Sequence, residues 1–283
     1  MVLPPAWSEV WICPWPDGHL LATGRDTQGR RQYRYHERWS TARRELHDAT
    51  LVPFASRLPR LRSRVRDLLD DPATSQNDRM HALAARLLDE TGVRVGNPDS
   101  VTAHGTRGLT TLTEEHVEID DGRLVLSFPG KGGLERALEV EDARLVESVR
   151  DAAENDEEYL FGWSENGSSG QVTGPSLNRF LRASLGPDAH AHQFRSWICT
   201  WRTLAGLRDA TPKGSVSTLL EVLEPIATDL GHTCNTARSH YLHHLVEPAW
   251  MADRLPRPHP VRTAGLSLEE RRAVAVLNRL QAT

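Results

Sequence analysis

Cysteine is scarce: Cys13, Cys199 and Cys234 are the only three. Their number is odd, their spacing wide and no CxxC pair occurs. A disulfide framework is therefore not encoded, and reduced thiols in a cytoplasmic protein are expected. Long apolar runs are also missing. No stretch approaches the roughly 20 residues needed to span a bilayer, so no membrane partner is expected. The opening Met-Val-Leu-Pro-Pro has no charged region followed by an apolar one, so a signal peptide is not expected. Net positive charge, usual where the partner is a polyphosphate, is absent as well: the chain carries −4 and a pI near 6.4. The distribution is uneven, however. The first 71 residues hold 12 Arg against 9 acidic residues, which leaves the rest acidic. A local basic surface is compatible with a globally acidic protein.

What is present reads as two domains, residues 1 to 72 and 73 to 283. The first is β-rich at its start. Val10-Trp11-Ile12 is a short apolar run, Pro16-Asp17-Gly18 a turn, and residues 31 to 35 alternate in strand fashion after a polar turn at 24 to 29. Residues 41 to 69 turn helical, with interruptions expected at Pro53 and Pro59, and 70 to 76 read as a linker. In the second domain Met80, Leu83, Ala84, Leu87 and Leu88 recur at helical spacing, between Asn77 as N-cap and Gly92 as stop. Strands are predicted at 116 to 119 and 123 to 128 across Asp121-Gly122, and at 136 to 140 beyond the Gly130-Lys131-Gly132-Gly133 turn. The remainder is mostly helical, with helices at about 193 to 207 and 217 to 230 and another carrying Tyr241. Residues 164 to 170 read as a flexible loop and 248 to 260 as a Pro-rich connector. Ser267 and Glu270 form a capping box for a final helix. The expected class is α+β: a small β-rich lobe and a larger, mostly helical domain with a β-hairpin.

Five places could carry chemistry: Arg94 just past a helix end, Lys131 at a glycine-flanked turn, Arg195 in His192-Gln193-Phe194-Arg195, His232 in Leu230-Gly231-His232, and Tyr241 nine positions later. Singly, each has an ordinary reading as a salt-bridge partner, a turn residue or a cap. Together they fit strand transfer at a phosphodiester. That reaction needs a nucleophile, a clamp on the non-bridging oxygens and a proton donor for the leaving alkoxide. Guanidiniums fork onto phosphate oxygens, a histidine donates a further hydrogen bond, and a lysine on a turn serves as general acid. A tyrosine hydroxyl, ordinarily of pKa about 10, needs such a positive pocket to attack. The aryl phosphate conserves bond energy, so rejoining needs no ATP.

The sequence resembles the small type IB DNA topoisomerases of bacteria and poxviruses, the eukaryotic-like DNA topoisomerase I group, over about residues 4 to 246. Residues 24 to 36, Gly-Arg-Asp-Thr-Gln-Gly-Arg-Arg-Gln-Tyr-Arg-Tyr-His, are similar to that family's N-terminal DNA-clamp motif. Pro4-Pro5-Ala6-Trp7 and Val10-Trp11-Ile12 are similar to the lead-in. Gly108-Leu109-Thr110-Thr111-Leu112, with His116-Val117 and Phe128-Pro129-Gly130-Lys131, matches the hairpin bearing the family's lysine. Leu230-Gly231-His232-Thr233 through Tyr241 matches its active-site helix. The resemblance implies that Arg94 and Arg195 clamp the scissile phosphate, Lys131 protonates the 5′ oxygen, His232 donates to a non-bridging oxygen and Tyr241 forms a 3′-phosphotyrosyl intermediate. It also implies a C-shaped clamp on double-stranded DNA, with Arg30, Arg31, Tyr33 and Tyr35 on the DNA side of the smaller lobe and His192 touching phosphate or orienting Arg195. A monomer without cofactor, cytoplasmic and nucleoid-associated, follows from the same resemblance. Relatives usually carry residues before Pro4-Pro5-Ala6-Trp7, so either the start site is misassigned or the lobe is trimmed, and a trimmed lobe would leave a sheet edge exposed.

Tyrosine recombinases share the Arg, Lys, His-x-x-Arg and Gly-His…Tyr constellation, so the catalytic residues alone leave that class open. The 24-to-36 motif favours the topoisomerase, since recombinases carry a helical core-binding domain there. His232, Cys234, His240, His243 and His244 do not follow a common zinc spacing, so no metal is expected. Gly130-Lys131 is not a P-loop, because position 125 is Val and no Ser or Thr follows the lysine.

Overall fold

Alternating residues in the first segment and helical periodicity in the rest build a mixed α and β chain whose contacts cluster in two units, 1–50 and 51–283. The computed structural model describes residues 2–155, 157–257 and 259–282. In the first unit, β1 (Ser8–Ile12), β2 (Leu20–Arg25) and β3 (Arg31–Tyr35) form an antiparallel sheet in that order, followed by α1 (Glu37–Ala49). Asp26 builds the β2–β3 turn. Its carboxylate accepts from the backbone N–H groups of Gln28 and Arg30, from Arg30 Nε at 2.8 Å and from Gln32 Nε2 at 2.9 Å. The Arg30 side chain is thereby committed to the turn. β1 is an edge strand exposed at all five residues.

The unit boundary lies at Thr50, where the sequence suggested residue 72. The helix break also falls there: Thr50 caps α1, and α2 (Leu51–Asp70) runs through both prolines without interruption. Pro53 sits in the first turn, where the missing N–H is harmless. α2 belongs to the larger unit because its buried face, Leu51, Phe54, Ala55, Leu58, Leu61 and Val65, packs on helices of that unit.

The larger unit continues with α3 (Gln76–Thr91), capped by Ser75 in place of Asn77, and α4 (Pro98–His104). The expected apolar positions of α3 are all buried. β4 (Val117–Asp120), β5 (Arg123–Pro129) and β6 (Glu135–Val140) form an antiparallel sheet. Asp121 and Gly122, both at positive φ, make its first turn. After α5 (Ala143–Ala153), residues 164 to 170 belong to a hairpin, β7 (Gly162–Glu165) and β8 (Ser168–Gln171), and are not a loop. The overlooked signal is Asn166-Gly167, both at positive φ, a two-residue hairpin turn.

Helices α6 (Gly174–Leu185), α7 (His192–Asp209), α8 (Val216–Asp229), α9 (Cys234–His240), α10 (Val246–Met251) and α11 (Leu268–Gln281) follow. α10 begins two residues before the supposed connector and runs into it, with Pro248 in its first turn; Pro258 lies outside the described residues. α7 is buried on nearly every side, from Phe194 and Trp197 to Leu207, the pattern of a central core helix. Arg62 ties α2 to α3 and α11, donating to Asp89 at 2.7 and 3.0 Å and to Glu270 at 2.8 and 2.9 Å.

Candidate active site

Arg94 is delivered by the chain leaving α3. Gly92 ends that helix at φ 61° and donates its N–H to Leu88 O. A Cβ there would meet Leu230 Cδ2 at 2.8 Å, so glycine serves both the left-handed backbone and the close approach. The motif beginning at Gly108 then fixes the backbone around Arg94. Leu109 N donates to Arg94 O and Thr110 N to Val95 O, each at 2.7 Å. A Cβ at Gly108 would lie 2.5 Å from Arg94 O.

Arg195 stands in the first turn of α7 and is only 4% exposed. Its guanidinium donates to Gly92 O and Leu230 O, and Nη2 lies 2.6 Å from His232 Nε2. Its Nε has no hydrogen-bond partner among the described residues. Burial, and after it the charge of Arg94, push its pKa down to about 10, with Tyr241 acting in the opposite direction. The group remains charged at neutral pH.

His232 is placed by the end of α8. Gly231 N donates to Thr228 O at 2.9 Å and His232 N to Ala227 O at 2.8 Å, a Schellman ending with Gly231 at φ 66°. Arg94 Nη1 donates to Gly231 O at 3.2 Å, and its Nη2 lies 3.0 Å from His232 Nδ1. Both ring nitrogens thus face guanidinium N–H groups, yet a neutral imidazole accepts at one nitrogen only. The other contact sets N–H against N–H. Burial first, then Arg195, Arg94, His192 and Arg136, push the His232 pKa down to about 3, so protonation offers no relief.

Tyr241 closes α9 and donates its backbone N–H to Ala237 O. The nine-residue step from His232 is therefore a cap at Thr233 plus two turns of helix, which bring the rings of His232 and Tyr241 to 4.1 Å. The His192 ring lies 4.9 Å from Tyr241, and Arg195 Cζ 5.4 Å from its centroid. Lys131 is exposed in the turn between β5 and β6, where Gly130 N donates to Leu134 O at 2.8 Å. It lines the same small cavity as Arg94, Arg195 and Arg136. The chain has just two lysines, and the other, Lys213, bonds to the carbonyls of Leu207 and Arg208 at the end of α7. The larger unit thus gathers Arg94, Lys131, His192, Arg195, His232 and Tyr241 in one place.

The smaller unit carries the remaining candidates. Tyr33 and Tyr35 stack with ring centroids 6.2 Å apart and are 50% and 38% exposed. Arg31 shares their face by strand alternation, and Arg25 joins it across β2. Arg30 departs from this set, since its guanidinium is paired with Asp26 at 2.7 Å and the Asp26 pKa is drawn down to about 2, chiefly by that bond.

Two residues escaped the sequence reading. Trp11 pairs with Thr23, which pairs with Tyr33, so the exposed indole extends the tyrosine face. Arg136, one residue into β6, donates to Thr228 O at 2.7 Å and to Asp229 O, a contact no local pattern announces. Of the His and Cys residues weighed as metal ligands, His232 lies between two arginines, and Cys234 Sγ is 3.8 Å from Leu220 O.

Comparisons with known proteins place the chain in a family. The family model "Eukaryotic DNA topoisomerase I, catalytic core" matches residues 49–255, and "Bacterial DNA topoisomerase IB, N-terminal domain" matches residues 1–26. The chain is 24% identical over 253 residues to DNA topoisomerase 1B of Acanthamoeba polyphaga mimivirus, covering 85% of this chain and 75% of that protein. It is 28% identical over 147 residues to DNA topoisomerase 1B of vaccinia virus, covering 50% of this chain and 46% of that protein. Against a solved XerH site-specific recombinase the TM-score is 0.41 at 16% identity, over 67% of this chain and 50% of the other, too low to bear on function. With the catalytic-core model matching most of its length, the chain belongs to the eukaryotic-type DNA topoisomerase I family.

Proposed function

We propose that this chain relaxes supercoiled duplex DNA as a type IB topoisomerase, with Tyr241 as the covalent nucleophile. The observation that carries the reading is a shortage of hydrogen-bond acceptors around His232. Arg94 and Arg195 meet at one imidazole, which accepts from a single side, and the buried Arg195 Nε has no partner among the described residues. An oxyanion with several lone pairs satisfies such a set, and a phosphodiester supplies two non-bridging oxygens.

In this scheme the Tyr241 phenolic oxygen bonds to phosphorus, its proton passing to water. The bond to the 5′ oxygen breaks, and Lys131 Nζ gives that oxygen a proton. Arg94, Arg195 and His232 hold the non-bridging oxygens while charge develops, and His192 steadies the tyrosine ring. One phosphate ester replaces another, so the free 5′ end swivels about the intact strand and rejoins without ATP. The exposed face of Arg31, Tyr33 and Tyr35 supplies DNA contacts from the smaller unit, which closes with the larger one as a C-shaped clamp. The enzyme works as a monomer at the nucleoid.

Plasmid relaxation tests the reading, in EDTA and without nucleotide. The native chain is expected to relax both positive and negative supercoils, and Tyr241→Phe neither. Relaxation by Tyr241→Phe refutes the mechanism. Exchange between two matched sites with little relaxation places the same chemistry in a recombinase.

A further inference from the structure

Arg136 spans the two segments that deliver Lys131 and His232. Its aliphatic stem lies over Gly130, where a Cβ would meet Arg136 Cγ at 2.6 Å. Its guanidinium lies over Gly231, where a Cβ would meet Cζ at 2.9 Å and Nε at 3.0 Å. Nη1 donates to Thr228 O at 2.7 Å, and Nη2 to Asp229 O. These carbonyls end α8, at the negative pole of the helix, where a cation is favoured. Each glycine directly precedes a candidate catalytic residue. Arg136 also pairs across the sheet with Phe128, so its own backbone is fixed at the base of the lysine turn. Among the described residues the turn is closed by short internal bonds, Gly130 N to Leu134 O and Gly133 N to Gly130 O, and Lys131 is exposed.

We propose that Arg136 is a positioning residue: it straps the Lys131 turn to the His232 segment and so holds the lysine ammonium within reach of the leaving 5′ oxygen. The inference rests on Lys131 acting as the general acid. Burial comes first in holding the Arg136 pKa below its usual value, ahead of the repulsion from Arg94. The guanidinium stays near this positive site because two carbonyls hold it.

The test compares single-turnover cleavage of an ordinary duplex with cleavage of one whose scissile 5′ oxygen is replaced by sulfur. A thiolate leaves without a proton donor. Arg136→Met keeps the stem over Gly130 and removes the bonds to α8. It is expected to cleave the ordinary duplex at least about tenfold more slowly, within the range over which general acids act, and the sulfur duplex within about threefold of the native rate. Lys131→Ala should show the same recovery, and the double variant should be no slower on the ordinary duplex than Lys131→Ala alone. Arg136→Lys, whose single ammonium cannot fork onto two carbonyls, should fall between native and Arg136→Met. If Lys131→Ala recovers on sulfur and Arg136→Met does not, the strap is refuted and Arg136 acts on phosphate or on folding. If Lys131→Ala itself fails to recover, the general-acid reading falls, and the strap with it.

Discussion

His232 is expected to remain neutral in the free protein at any pH where the enzyme works. Burial first, and then the charges of Arg195, Arg94, His192 and Arg136, together push its pKa down to about 3. At pH 5 about one ring in a hundred then carries a proton, whereas an ordinary histidine of pKa about 6.5 is almost fully protonated. Histidine-labelled protein, titrated from pH 8 to 4.5 by NMR with His232→Asn to assign the signal, should show a ring frozen in one tautomer. The pKa is lower folded than unfolded, so between about pH 6.5 and 3 the unfolded chain binds the extra proton. Stability from this group is therefore fully present above 6.5 and lost as pH falls through that window. The slope is at most about 1.4 kcal/mol per pH unit, and less here because the ring is partly exposed to screening solvent. Arg195→Gln removes the largest of the charge contributions and should move the titration upward. Binding of duplex by Tyr241→Phe should do the same, because phosphate charge favours the imidazolium. A His232 midpoint near 6.5 in the free native protein would refute the claim that a guanidinium pair encloses this ring.

Other expectations follow from single contacts. Arg62→Met leaves Asp89 and Glu270, 5% and 6% exposed at their side chains, without the guanidinium that joins them. The cost should be about 3–5 kcal/mol in denaturant unfolding at neutral pH and should shrink in acid, since Arg62 holds the Glu270 pKa below its usual range against the opposing effect of burial. A loss below about 1 kcal/mol would refute this. Gly108→Ala drives a methyl onto Arg94 O and should slow cleavage at saturating DNA by about tenfold or more; an unchanged rate counts against the pinning of Arg94. Tyr33→Ala should weaken duplex binding by about tenfold, equivalent to about 1.4 kcal/mol, and unchanged affinity in a filter-binding assay would remove Tyr33 from the contact surface. Affinity should fall linearly on a log–log plot against salt, as counterion release requires.

Much of the site was legible because its residues sit beside strong local signals. Gly92 and Gly231 punctuate helix ends, and the residues they release, Arg94 and His232, are therefore locatable in sequence. The helix of Met80 to Leu88 was visible in its periodicity, and Tyr241 in its spacing from His232. Long-range effects were not legible. Arg195 owes its burial to α7 lying at the centre of the larger unit, and Arg136 owes its role to carbonyls 92 and 93 residues away. The break at Thr50 escaped because prolines were read as stops, although Pro53 falls where a helix tolerates one. The β7–β8 hairpin escaped because Ser and Gly outweighed the Asn166-Gly167 turn. The pairing of Arg30 with Asp26, four residues earlier, was not drawn from the charge count of the first segment.

The central claim, that Tyr241 is the nucleophile and takes the 3′ phosphate, is tested most directly by trapping. A duplex nicked so that the short fragment bearing the released 5′-hydroxyl diffuses away after cleavage is incubated with the protein, and the denatured adduct is digested and sequenced by mass spectrometry. The expected result is one peptide bearing a nucleotide through its 3′ phosphate at Tyr241, and no adduct from Tyr241→Phe. An adduct at Tyr33, Tyr35 or Tyr159, or one linked through a 5′ phosphate, would contradict it.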